Sequence, residues 1–192
     1  MKVCVDAGHG GKDPGAVEKV NGVWYKEKNY NLQIALALKP ILEASDHQVV
    51  LTRSTDVFIY PGARLRFALA QEAQVFVSIH CNASDNPQAH GMEVLYRDEE
   101  NDKFLADPIY VSLLATFPEL TGRGEKDDEV DLGRRLAVFG DFLLPACLVE
   151  VGFLSNEGDL NVIQRSEDVA RAIAGGFFEY CRVSMPKEGQ HG

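Results

Sequence analysis

Short runs of apolar and β-branched residues recur along this chain, separated by longer runs of helical periodicity. KVCVD (2–6), QVVLT (48–52), VFVSI (75–79), MEVLYR (92–97) and ACLVEV (146–151) read as strands. Between them, 29–44, 62–73, 102–117 and 166–182 carry apolar residues at helical spacing. Strands that alternate with helices define an α/β architecture, because parallel strands need a crossover long enough to hold a helix. Near-continuous apolar strands fit a sheet covered on both faces. The expectation is one domain over 1–183, a mostly parallel twisted sheet of about six strands with helices on both faces. The last residues, 184–192 (SMPKEGQHG), read as a tail or linker.

Prolines and charge punctuate this pattern. Pro61 suits the first position of the second helix. Pro40 predicts a kink or break in the first helix, and Pro108 an interruption of 102–117. The stretch 121–135 is charged and glycine-containing, so a surface loop with room for one helical turn is expected there.

The bulk chemistry excludes several functions. The 192 residues carry a net charge of −10, which argues against nucleic acid as a partner, since phosphate contacts need clustered Lys and Arg. No run approaches the ~20 apolar residues of a membrane span, so no membrane insertion is expected. Asp6 and the glycines interrupt the apolar start, which therefore does not read as a signal peptide. The chain is expected in the cytoplasm as synthesised, or as a catalytic domain cut from a longer exported protein. A monomer is expected. Cys4, Cys81, Cys147 and Cys181 form no C-x-x-C pair and read as small buried hydrophobes. Strand alternation sets Cys81 on the face opposite His80, and Cys147 opposite Glu150.

Ligands of open α/β sheets bind beyond the carboxyl ends of the strands. His9 follows the first strand, among Gly8, Gly10, Gly11 and Gly15; His80 closes VFVSIH and Glu150 closes ACLVE. Glu27 stands just before the first helix. If the strands run parallel, two His and two Glu converge at one sheet edge. Two imidazoles and one carboxylate make a zinc site of the hydrolytic kind, and a second carboxylate can move the proton of the attacking water. Spacing does not say which Glu would bind the metal. Blander readings stand beside this one. A histidine at a strand end is commonly a hydrogen-bonded structural residue. Glu27 also suits a helix N-terminus electrostatically. Glu150 is harder to explain away, because a carboxylate inside CLVEVGF is expensive to bury without a partner. Asp6 could orient a ligand from behind or serve a turn. His90 reads as substrate-facing or solvated, and His47 and His191 as bystanders. A phosphate-binding loop is excluded, since GHGGKD fits neither glycine-rich frame.

Six segments, VDAGHGGKDPGA, KEKNYNL, LTRSTD, VSIHCNAS, HGMEV and LVEVGFLSN, occur in this order within residues 3–156. Together they resemble the zinc-dependent N-acetylmuramoyl-L-alanine amidases. The resemblance implies zinc held by His9, Glu27 and His80, with Glu150 as the catalytic carboxylate. It implies hydrolysis of the amide between N-acetylmuramic acid and the first stem-peptide residue, L-alanine, of peptidoglycan. Arg64 falls where the family often has an Arg on its second helix. The glycines around His9 are expected to leave room for a bulky glycopeptide. Such an enzyme acts on the cell wall after release or export, as a phage lysin does. The rivals are a zinc peptidase acting on the stem peptide and a non-catalytic wall-binding or regulatory module.

Overall fold

The computed structural model describes residues 1–86, 88–98, 100–139 and 144–184. In chain order the first half contains β1 (Lys2–Ala7), β2 (Val17–Val20), β3 (Val23–Lys26), α1 (Glu27–Glu43), β4 (Gln48–Leu51) and α2 (Pro61–Ala70). The second half contains β5 (Val75–Asn82), β6 (Met92–Tyr96), α3 (Asp102–Thr116), β7 (Gly122–Asp127), β8 (Ala146–Phe153), α4 (Glu157–Ile163) and α5 (Ser166–Ser184). The main sheet is six-stranded, in the order β4-β1-β5-β8-β6-β7. β4, β1, β5 and β8 are mutually parallel; β6 pairs antiparallel with β8, and β7 follows β6 in parallel. The expected mostly parallel α/β sheet is therefore present.

The two faces of the sheet are covered unequally. One face carries Val3, Val5, Val77, Ile79, Cys81, Val94, Cys147 and Val149, and packs against apolar side chains of α1, α3 and α5. The other carries Cys4, Phe76, Leu95 and Leu148 beneath α2 and the segment around Val138 and Phe139. Alternation then places Asp6, Ser78, His80, Glu93 and Glu150 on this second, thinly covered face. Cys81 and Cys147 lie on the first, as expected, and all four cysteines are buried thiols without a disulfide.

Several local expectations are corrected. α1 runs unbroken through Pro40, and α3 through Pro108. Each proline leaves one carbonyl four residues back without its amide partner. Those carbonyls belong to Leu36 and Phe104, both exposed residues, where water can take the place of the lost donor. The stretch 121–135 is no plain loop, because it contains β7. This strand is charged and lies at the sheet edge, so it lacks the apolar alternation that marks a buried strand. The β2–β3 hairpin was not expected, although Asn21-Gly22, both at positive φ, is a strong two-residue hairpin turn. α4 was also unread; the Asn156 side chain caps it by accepting from the Asp159 amide. Of the expected tail, Ser184 ends α5 and 185–192 lie outside the described residues.

α5 crosses α3 at Gly176, where an added Cβ would meet Ile109 Cα at 2.4 Å and the Pro108 carbonyl oxygen at 2.5 Å. Helix propensity favours Gly176→Ala by about 1 kcal/mol. The backbone contact opposes it and wins, since overpacking costs roughly 1–3 kcal/mol. Gly176→Ala is therefore expected to lower stability, measured as the midpoint of urea or thermal unfolding.

Candidate metal centre

The site is assembled around Glu27, the first residue of α1, which is 4% exposed. Its Oε1 accepts from His80 Nδ1 at 2.9 Å, the Cys81 amide at 3.1 Å and Asn31 Nδ2 at 3.1 Å. Its Oε2 meets His9 Nε2 at 3.1 Å and accepts from the Ala16 amide at 2.9 Å. β1 delivers His9, β5 delivers His80, and one helical turn separates Asn31 from Glu27. One ligand atom each from His9, Glu27 and His80 lie within 4.8 Å of one another. Burial alone would raise the Glu27 carboxyl, but the hydrogen bonds and charges of His80 and His9 outweigh it and hold the group well below the usual carboxylate range.

His9 is itself held from behind. Asp13 Oδ2 accepts from His9 Nδ1 at 2.9 Å, and Asp13 Oδ1 accepts from the Gly15 amide at 3.1 Å. Burial works to lower the proton affinity of His9; bonds to Glu27 and Asp13 reverse the sign and raise it. His9 adopts φ 60°, a strained value for a residue with a Cβ. A buried network fixes this turn. Arg64 donates to the carbonyls of Ala7, at 2.8 Å, and His9, at 2.9 Å, and pairs with Asp6 at 2.8 Å. Asp6 also accepts from Thr52 and Ser78. Arg53 donates to the carbonyls of Ala7, Gly8 and Lys28. Asp6 thus acts on the His9 backbone through Arg64, while Asp13 bonds the imidazole.

Two of the glycines near His9 abut the site itself. A Cβ on Gly8 would lie 2.3 Å from the His80 ring, and one on Gly15 would lie 2.4 Å from Glu27 Oε2. They make room for the site's own side chains.

Glu150 occupies the next position across the sheet. It pairs in register with His80 on one side and with Glu93 on the other. Its Oε2 is buried with no hydrogen-bond partner among the described residues. Burial first, then the negative charges of Glu27 and Glu93, push this carboxyl well above its ordinary range, against a smaller pull from Arg134. A 230 Å³ pocket opens beside these groups, lined by His9, Asp13, Arg64 and His80 and by the apolar Pro61, Leu136, Val138 and Leu148. The wall at Leu136 is clamped by buried Asp128, which accepts from the Leu136 amide at 2.6 Å, and by Arg97, which donates to the Leu136 carbonyl at 2.8 Å. Arg97 and Asp128 pair at 2.6 Å.

Two imidazoles that line the pocket, with the Glu27 carboxylate between them, are a donor set suited to zinc, and a neighbouring carboxylate with one buried, unpartnered oxygen suits a proton carrier. The residues present therefore fit a catalytic divalent cation. His90 stands apart, exposed, with Nδ1 donating to the Gln88 carbonyl at 2.7 Å. His47 packs on Phe177 and Phe178 and contacts the chain N-terminus. His191 lies outside the described residues. Sequence reasoning missed Asp13 and Asn31. Each sits four residues from the candidate ligand it hydrogen-bonds, the one signal that pointed to them.

A candidate His-Glu-His cation site on a mostly parallel α/β sheet is what this geometry defines. The family model for N-acetylmuramoyl-L-alanine amidase matches residues 3–178, and the chain belongs to that family. It is 33% identical over 186 residues to N-acetylmuramoyl-L-alanine amidase LytC of Bacillus subtilis, a match covering 94% of this chain and 35% of LytC. The chain thus spans about a third of that relative's length. An endolysin of Bacillus phage SPP1 is 34% identical over 97% of this chain and 68% of its own. Among solved structures, N-acetylmuramoyl-L-alanine amidase AmiC2 of Nostoc punctiforme superposes with a TM-score of 0.85 at 33% identity, covering 95% of this chain and 97% of that one.

Replacing Arg64 by Leu would leave Asp6, 0% exposed, without its counter-charge. Breaking a buried pair from one side costs about 3–5 kcal/mol. The expected outcome of Arg64→Leu is a loss of that order in urea unfolding. Arg64→Leu combined with Asp6→Asn should lose less than the single variant.

Proposed function

We propose that this chain hydrolyses the amide between the lactyl group of N-acetylmuramic acid and the first stem-peptide residue, L-alanine, of peptidoglycan, using zinc held by His9, Glu27 and His80. The observation that carries the reading is the convergence of those three side chains beside Glu150, whose Oε2 is buried with no hydrogen-bond partner among the described residues. Family membership supplies the bond class. Zinc bound there would make a water acidic enough to attack at neutral pH and would polarise the amide carbonyl.

The chain's own residues do the rest. His9, Glu27 and His80 come from three separate elements, so the centre exists only when β1, α1 and β5 are docked. Asp13 fixes the His9 ring, leaving Nε2 to face Glu27. Glu150 takes the proton of the attacking water and passes it to the departing amine nitrogen of the peptide. The apolar wall of Leu136, Val138 and Leu148 restricts water around the scissile amide. No described helix is long and apolar enough to cross a membrane.

The test joins metal content with product analysis. Glu150→Ala is expected to retain one zinc per chain by elemental analysis and to lose at least about 100-fold in wall-clearing activity. His80→Ala is expected to lose both metal and activity. Mass spectrometry of digested wall should show intact stem peptides freed from sugar. Cleavage inside the stem peptide would replace the amidase reading with a peptidase. Zinc-loaded wild type that binds wall and releases nothing would identify a non-catalytic module.

Asp13→Ala removes the group behind His9. It is expected to weaken zinc binding roughly 10- to 100-fold, measured by competition with a chelator at constant pH.

A further inference from the structure

Beyond Glu150 the sheet carries a second polar cluster, on β6 and β7. Glu93 is 5% exposed and directly opposite Glu150. Its Oε2 pairs with two cations, Arg123 Nε at 2.9 Å and Lys126 Nζ at 2.5 Å, and its Oε1 accepts from Asn82 Nδ2 at 3.1 Å. Arg123 and Lys126 are three residues apart, so a regular strand would point them to opposite faces. A register shift between β6 and β7 prevents this. Met92 pairs with Gly122 and Val94 with Glu125, which leaves Glu93 opposite both Arg123 and Gly124. The extra residue is a bulge, a device that re-aims side chains next to sites. Gly124 takes φ 93°, which a residue with a Cβ would resist, and its amide donates to the Tyr110 hydroxyl at 2.9 Å. The bulge turns Arg123 and Lys126 onto one carboxylate.

One cation would neutralise Glu93; two leave a surplus positive charge on a chain of net −10. Arg123 is also preorganised. Its guanidinium lies 5.0 Å from the Phe153 ring centroid, Nε is engaged by Glu93, and Nη1 makes only a long 3.4 Å contact to the His90 carbonyl. Nη2 has no partner among the described residues, and the side chain is 35% exposed. A stacked, clamped guanidinium with a free edge is built for a planar anion.

We propose that Arg123 and Lys126, held by Glu93, bind a carboxylate on the peptide side of the scissile amide. The proposal rests on the amidase reading above and names a specificity determinant for it. Arg123 and Lys126 come from β7, two strands beyond the proposed proton carrier, but their charged ends reach back to Glu93, one strand or about 4.8 Å from Glu150. A peptide residue spans about 3.5 Å, which brings a carboxylate on the second stem residue to that distance from the departing nitrogen. The sugar then extends the other way, over the pocket edge at Pro61.

The test uses two synthetic muramoyl-peptides that differ only in the second stem residue, one bearing a free carboxylate and the other its carboxamide. Wild type should favour the carboxylate in kcat/KM by roughly tenfold or more. Arg123→Gln should cut kcat/KM on the carboxylate substrate roughly 10- to 100-fold, chiefly through KM, and bring the ratio of the two substrates toward one. Arg123→Lys should recover part of the preference. The ratio is independent of the folded fraction, and a Glu93→Gln, Arg123→Gln, Lys126→Gln triple variant, which leaves no unpaired charge, should show the same flattened ratio. Equal turnover of both substrates by wild type, or an equal loss on both in Arg123→Gln, overturns the subsite while leaving the amidase standing. If wild type frees peptide from neither substrate, the amidase reading falls and the subsite with it.

Discussion

A single buried carboxylate ties this molecule to its chemistry. Glu27 sits at 4% exposure and accepts from donors on four different pieces of chain: the His9 turn, the Ala16 segment, its own helix at Asn31, and the end of β5 at His80 and Cys81. An ionised group in such a place is tolerated only when its lone pairs are satisfied. Satisfying them fixes the entry of α1 against β1 and β5 to within a hydrogen-bond length. The same contacts set the two imidazoles around the carboxylate. The donors that stabilise the charge are thus the groups that would share a cation with it. In the proposed reading, structural and functional demands on this residue coincide, and the positive φ of His9 is a local cost of that arrangement.

The unequal cover of the sheet explains where the rest of the chemistry lies. One face is sealed by α1, α3 and α5 and holds apolar side chains and inert thiols. The other has α2 and the Leu136–Phe139 segment over a smaller core, and its strand ends stay polar. Along one line across that face run His80, Glu150 and Glu93, each on a neighbouring strand in register. A sheet makes such a row at little cost, because paired residues on adjacent strands share a face. The Arg97–Asp128 pair then sets the distance between this row and its apolar roof by holding both the amide and the carbonyl of Leu136.

Legibility in the sequence follows from the same physics. The buried strands were readable because both of their neighbours are apolar, and their period of two placed His80, Cys81, Cys147 and Glu150 on the correct faces. The choice between Glu27 and Glu150 was not readable from spacing. It depends on a helix N-terminus docking on a distant strand, and only the family resemblance spoke to it. β7 was unreadable because an edge strand of GRGEKD gains its structure from backbone pairing with β6 rather than from apolar burial. The Asn21-Gly22 hairpin carried a plain signal that two short, exposed strands made easy to pass over. Pro40 and Pro108 misled because the penalty of a helical proline depends on what the freed carbonyl meets, and exposure is not visible in a local window. Asp6 was the nearer candidate to support a ligand by count; the turn at Gly10–Asp13 brings Asp13 back to His9 instead.

Two carboxylates in one site, Glu27 at the start of α1 and Glu150 on β8, would ordinarily compete for the same role, and here their surroundings separate them. Glu27 is surrounded by donors and imidazoles, which hold its proton affinity down. Glu150 has one oxygen buried without a donor, and the negative charges of Glu27 and Glu93 reach it, which hold its proton affinity up. Environments that drive like groups apart are how a site obtains a permanent anion and a proton acceptor from one residue type. Glu93 adds a third carboxylate to this row, ion-paired with Arg123 and Lys126 on the bulged strand. Its charge raises Glu150 from one side while its two cations face the open edge from the other. In the proposed reading, a residue that looks purely structural therefore bears on both the strength of the base and the chemistry of the peptide it can accept.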